Sequence, residues 1–93
     1  MKYNLTTNEY NALQHITSIN KMDCWFSIRQ TTKGEDYIYD LEERKRISLK
    51  RALEEIHGGL IEEDFWELLP KEQYALNDLF KKYKLRTFRD GRD

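Results

Sequence analysis

The sequence predicts an α+β fold in which helices pack over one face of a two-stranded antiparallel β-hairpin. Residues 23–29 and 36–41 are rich in aromatic and β-branched side chains and alternate in polarity, and a polar loop containing Gly34 separates them, which is the pattern of a hairpin. The chain on either side repeats apolar residues at helical spacing. Because an isolated hairpin is at best marginally stable in water, we expect one helix before it and three after it to cover one of its faces.

The length of 93 residues accommodates one domain. Aromatic residues make up 13% of the chain, which favours a compact core over disorder. We expect the compact domain to span residues 1–85. Residues 86–93 contain three arginines and a single large apolar side chain, so they are expected to form a mobile basic tail.

A capping box marks the start of the first helix. Thr6 and Glu9 are three residues apart, so that the hydroxyl and the carboxylate can each satisfy a backbone N–H group. Apolar residues then recur at near-helical spacing from Tyr10 to Ile19. This pattern predicts a helix over residues 7–20.

Alternation along the two strands predicts which side chains face the helices. Trp25 and Ile38 would lie on the opposite, outer face of the hairpin. Large apolar side chains on a surface often mark an interface, so this pair is a candidate contact surface. The alternative is that Trp25 is covered by the first helix or by the tail. The side chains expected to face the helices are Cys24, Phe26, Ile28, Tyr37, Tyr39 and Leu41.

The second helix follows a run of charged residues. Residues 42–46 are all charged and are expected to form a loop or a frayed helical turn. Ser48 is a suitable N-cap for a helix that reaches His57. The two glycines at 58–59 are expected to close this helix in a left-handed backbone conformation.

Two further helices are predicted over residues 62–69 and 70–84. Pro70 ends the first of them and is tolerated in the first turn of the second. The last helix has a clear core-facing stripe, formed by Leu76, Leu79, Phe80 and Tyr83.

No set of residues has both the types and the spacing that catalysis, metal binding or cofactor binding needs. The two histidines are His15 and His57. Glu54 lies one helical turn before His57, but di-metal helical bundles need a second such motif. Cys24 lacks the local signature of an activated nucleophile. We therefore expect a protein that is not an enzyme and that binds no cofactor or metal.

The single cysteine excludes an intramolecular disulfide and fits a reducing cytoplasm. The N-terminal sequence has no apolar run like that of a signal peptide, and no stretch of about 18 apolar residues occurs. We expect a cytoplasmic protein that does not enter a membrane.

Charged residues are segregated along the sequence, although the net charge is only −1. Residues 54–69, which we call the acidic block, contain six acidic residues and no lysine or arginine. Basic clusters precede and follow this block. The segregation is explained either by intramolecular complementarity and solubility or by a polarised surface that steers a partner.

The main functional hypothesis is binding to another protein or to a second copy of this chain. In length, composition and lack of an active site, the chain looks like the small accessory proteins of bacteria, their phages and mobile elements. The interface would combine the outer face of the hairpin with the acidic block. Its candidate residues are Trp25, Ile38, Glu62, Glu63, Asp64 and Trp66.

Two alternatives use the charges differently. In the first, a basic cluster binds nucleic acid, although a pI near 6.1 and the lack of a convincing recognition helix argue against this. In the second, the acidic block mimics phosphates and occupies a nucleic-acid-binding protein. The basic cluster consists of Arg44, Lys45, Arg46, Lys50 and Arg51.

Overall fold

A computed structural model describes residues 5–91 and has an α+β fold. This confirms the predicted class, but the sheet has three strands where the sequence predicted two. The elements are α1 (Thr7–Ile19), a 3-10 turn (Met22–Cys24), β1 (Phe26–Gln30), β2 (Asp36–Asp40), β3 (Lys45–Ile47), α2 (Leu49–Gly59), α3 (Glu62–Trp66) and α4 (Pro70–Lys82).

The third strand arises from the charged run that was expected to be a loop or a frayed helical turn. The chain reverses after β2 at Arg44, whose backbone is left-handed with φ of 57°. The Asp40 carboxylate accepts the backbone N–H groups of Glu42 and Glu43 at 2.9 and 2.8 Å, which fixes the turn. β3 then pairs antiparallel with β2. The strand has only three residues and two of them are charged, so its sequence carries almost no strand pattern.

The register of the sheet reverses the predicted faces of β2, whereas Phe26 and Ile28 of β1 are buried as predicted. Cys24, also expected to face the helices, lies in the 3-10 turn before β1 and is exposed. Ile38 of β2 lies opposite Ile28 of β1 and Ile47 of β3, and cross-strand partners point to the same face. All three isoleucines are buried. The expectation that Ile38 lies on the outer face is therefore wrong, and the alternating Tyr37 and Tyr39 lie on that face instead.

The core fills the space between the helices and the inner face of the sheet. The apolar stripes of α1, α2 and α4 meet there, and Phe65 of α3 is also completely buried. Three members of the predicted α4 stripe, Leu76, Leu79 and Phe80, belong to this core, and the fourth, Tyr83, is half-buried against it. The other buried apolar residues are Ala12, Leu13, Ile16, Phe26, Ile28, Ile38, Ile47, Leu49, Ala52, Leu53, Ile56, Leu60 and Leu68.

The observed helix starts agree with the predicted boundaries better than the observed helix ends do. The Thr6–Glu9 capping box forms, with hydrogen bonds of 3.1 and 2.8 Å. Ser48 caps α2 by accepting the N–H of Arg51 at 3.1 Å. Helix α2, however, continues through Gly59, and neither glycine of the 58–59 pair is left-handed. Helix α3 ends at Trp66, three residues before the expected end.

Helix α4 ends in a Schellman motif that turns the chain back over the helices. Lys84 adopts φ of 61°, its N–H donates to the carbonyl oxygen of Lys81 at 3.1 Å, and the N–H of Leu85 donates to that of Phe80 at 2.7 Å. After this turn, Phe88 packs against the core. Part of the predicted tail therefore makes apolar contacts with the domain. Its mobility stays a prediction, and residues 92–93 lie outside the described part of the chain.

Candidate interaction surfaces

The outer face of the sheet is basic and aromatic. Strand alternation places five side chains on it, away from the core. Two of them are arginines, two are tyrosines and one is a serine, so this set contains no acidic group. We call it the outer sheet face: Ser27, Arg29, Tyr37, Tyr39 and Arg46.

Each tyrosine of the outer sheet face lies beneath a guanidinium group. The Cζ atom of Arg29 is 4.7 Å from the ring centroid of Tyr39, and the Cζ atom of Arg46 is 4.1 Å from that of Tyr37. Arg29 also donates through Nε to Ser27 Oγ at 2.9 Å. These cation–π contacts position two arginines that both stay exposed to solvent.

Two of the five residues of the candidate nucleic-acid cluster, Lys45 and Arg51, are paired with carboxylates. Arg51 lies 3.0 Å from Glu43, 3.6 Å from Glu55 and 3.9 Å from Asp40. Lys45 lies 3.5 Å from Glu43. The hydrogen bond from Arg51 holds the pKa of Glu43 below its ordinary value, and the same bond raises the pKa of Arg51.

The remaining members of that cluster do not form one surface. Arg46 belongs to the outer sheet face, whereas Arg44 occupies the turn before β3 and Lys50 is exposed on the first turn of α2. The structure therefore does not bring the five basic residues together as a single phosphate-binding patch.

Trp25 is half-exposed, with 51% of its surface accessible, but it precedes β1 and is separated from the buried Ile38. Its carbonyl oxygen accepts the N–H of Leu41 at 2.9 Å. The side chain borders an open cavity of about 380 Å³. The walls of this cavity include Met22, Phe26, Asp40, Glu42, Glu43, Arg51 and Glu55, so Trp25 adjoins the ion-pair cluster rather than an apolar patch.

The candidate residues of α3 lie at the surface beside the end of the chain. Glu62 and Glu63 are exposed, Asp64 is half-buried and Trp66 is 52% exposed. The indole N–H of Trp66 donates to the carbonyl oxygen of Arg89 at 3.3 Å. This end of the acidic block therefore contacts the basic tail.

The two histidines link separate elements of the fold. His15 Nδ1 of α1 lies 2.9 Å from Glu72 Oε1 of α4, and the buried Glu72 also accepts the N–H of Leu69 at 3.0 Å. His57 Nε2 donates to the carbonyl oxygen of Arg86 at 2.7 Å. Within residues 5–91, no three His, Cys, Asp or Glu side chains are grouped as a metal ion would require.

In the described part of the chain, no helix has the length and apolar character needed to cross a bilayer. Comparison with protein-family models, with curated proteins and with solved structures gives no match.

Proposed function

We propose that this protein acts without catalysis, by binding an acidic segment of another protein on its outer sheet face. The observation that supports this most strongly is the pairing of Arg29 with Tyr39 and of Arg46 with Tyr37 on a face whose strand side chains include no acidic group.

The chemistry of these residues suits a protein interface. Tyrosine and arginine are both enriched among the residues that contribute most to binding. A guanidinium can bind a carboxylate through two parallel hydrogen bonds. Because Arg29 and Arg46 are already positioned over the tyrosine rings, less side-chain freedom is lost when a partner binds.

An acidic protein segment fits this face better than nucleic acid does. Arg51 and Lys45 are paired with carboxylates, and a net charge of −1 disfavours extended contact with a phosphate backbone. A protein partner requires charge complementarity only where the surfaces meet. The exposed thiol of Cys24 is in keeping with a cytoplasmic location.

The proposal is tested by affinity capture from a nuclease-treated extract of the cells that make the protein. Wild-type chain is compared with the double variant Arg29→Glu, Arg46→Glu. The matched control carries the same number of charge reversals, Lys71→Glu and Lys81→Glu, at exposed positions of α4. We expect a protein with an acid-rich segment to be retained by wild type and control, with at least tenfold lower recovery on the Arg variant.

Equal recovery on all three baits would contradict the outer sheet face as the binding surface. Recovery from a parallel untreated extract but not from the nuclease-treated one would contradict a protein partner and favour nucleic acid. A synthetic peptide of the acid-rich segment is then titrated into the wild-type chain, and its failure to bind would count against direct recognition.

A further inference from the structure

Residues 86–90, which we call the C-terminal segment, are held mainly through their backbone. Three side chains from different helices each reach a main-chain group of this segment. His57 of α2 donates to the carbonyl oxygen of Arg86 at 2.7 Å, and Trp66 of α3 donates to that of Arg89 at 3.3 Å.

The third contact is a two-sided clamp by Asn77 of α4. Its Nδ2 donates to the carbonyl oxygen of Phe88 at 2.6 Å, and its Oδ1 accepts the N–H of Phe88 at 2.9 Å. Nδ2 also donates to Asp90 Oδ2 at 2.7 Å. Asn77 is only 3% exposed, and a buried amide needs such partners. Asn77 therefore recognises the backbone of a single residue through both its N–H and its C=O groups, and the side chain of that residue lies between the two hydrogen bonds.

That side chain, Phe88, is an aromatic anchor. Its ring stacks on Phe65 at 5.1 Å between centroids and meets His57 at 5.7 Å and Phe80 at 6.1 Å. Aromatic pairs at these distances add to the stability gained from burial. We call the residues that receive the segment the C-terminal groove: His57, Phe65, Trp66, Asn77 and Phe80.

Charge adds to this complementarity. The groove borders the acidic block, and Glu62 lines an open cavity of about 410 Å³ together with Arg86 and Arg89 of the segment. A basic segment is therefore favoured beside an acidic surface. Both the hydrogen bonds and the anchor would be the same if an identical segment came from another chain.

The link between α4 and the segment is strained. Lys84 holds φ of 61°, a conformation that side chains other than glycine rarely adopt. Straightening the chain at Lys84 would relieve this strain and direct the segment away from its own groove. Exchange of such an element between identical chains is a low-cost route to dimers.

We propose that the C-terminal groove is a peptide-binding site whose ligand is the C-terminal segment of a second copy, exchanged through opening at Lys84. The ligand is an extended basic peptide with an aromatic anchor. This site is separate from the outer sheet face, and its argument does not depend on the function proposed for that face.

The test uses two full-length variants with complementary defects. Phe88→Ala keeps the groove but loses the anchor, whereas Asn77→Ala keeps the segment but loses the clamp. We expect each to be monomeric alone and the equimolar mixture to form a heterodimer, measured by sedimentation. A fluorescent peptide of residues 85–91 should bind the Phe88→Ala chain at least tenfold more tightly than wild type, because the wild-type segment competes from the same chain at roughly millimolar effective concentration.

Monomers throughout the mixture, with circular dichroism unchanged from wild type, would overturn the proposal. So would a peptide that binds equally well when its Phe88 is replaced by Ala. If either variant fails to fold, Lys84→Pro and Lys84→Gly replace the pair. Proline forbids the observed φ, so the Lys84→Pro chain should form dimers. Glycine tolerates this φ, so the Lys84→Gly chain should stay monomeric. Monomers of both variants would overturn the proposed exchange.

Discussion

At the scale of single residues, cationic side chains occupy conformations that usually select glycine. Within residues 5–91, three residues other than glycine have left-handed φ angles, and they are Lys21, Arg44 and Lys84. Each lies between two elements: before the 3-10 turn, between β2 and β3, and after α4. The left-handed conformation costs about 1 to 2 kcal/mol for a residue with a side chain, so each junction is less stable than glycine would make it.

Replacing Lys84 by Gly is expected to raise the free energy of unfolding by about 0.5 to 1 kcal/mol. Glycine adopts the left-handed conformation without steric cost, and this gain is partly offset by the greater conformational freedom of glycine in the unfolded chain. Urea denaturation measures the change. The control Lys81→Gly, in the last turn of α4, should lower stability by about 1 kcal/mol. A loss at both positions would show that Lys84 is not strained.

Replacing Arg51 by Ala is expected to raise the pKa of Glu43, because its hydrogen bond is the main cause of the lowered value. A carboxyl group whose pKa is lowered by folding stabilises the protein at pH values above its ordinary pKa. This stabilisation is lost as the pH falls through the lowered pKa. Carbon-detected NMR titration of Glu43 measures the shift. Lys50→Ala, at an exposed neighbour, should leave the pKa unchanged, and an equal shift in both variants would contradict the assignment.

At the scale of elements, local signals in the sequence predicted the helices and the inward side chains of β1 well, but they predicted the wrong face for β2. The Thr6–Glu9 box and the Ser48 cap depend on residues a few positions apart. The faces of β1 and β2 depend instead on register. Pairing of Gln30 with Asp36 across the loop sets Ile28 opposite Ile38, and both become core residues.

This register could have been found from the sequence by centring the hairpin on the loop at 31–35, which aligns the two isoleucines on one face. The short β3 offered no comparable signal, because two of its three residues are charged and only Ile47 is buried. The arginine–tyrosine pairs were missed for the same reason. Each pair joins diagonal positions on neighbouring strands, so it can be predicted only when the register of the strands is known.

The sheet register predicts that Ile38→Ala will lower the free energy of unfolding by about 2 to 4 kcal/mol, since the side chain is completely buried and its removal leaves a cavity. The matched control is Ile61→Ala, at a position that is 55% exposed, where a change within about 0.5 kcal/mol is expected. Chemical denaturation compares the two variants. Equal effects would contradict the placement of Ile38 in the core.

At the scale of the whole molecule, the segregated charges have two different structural outcomes. Next to the sheet, Arg51 and Lys45 are neutralised by Glu43 and its neighbours, whereas Arg29 and Arg46 remain exposed over tyrosine rings. Around α3, the acidic block meets the basic end of the chain. Complementarity within the molecule thus accounts for part of the pattern, and the outer sheet face keeps two arginines exposed to solvent.

Site-specific photo-cross-linking tests the outer sheet face most directly. A photoreactive benzoylphenylalanine replaces Tyr37 on this face or, as the matched control, the half-buried Tyr10 of α1. In producing cells, we expect a protein cross-link from position 37 that persists after nuclease treatment, maps to an acid-rich segment and is absent from position 10. Equal cross-linking from both positions, or none from position 37, would contradict the outer sheet face as the binding surface.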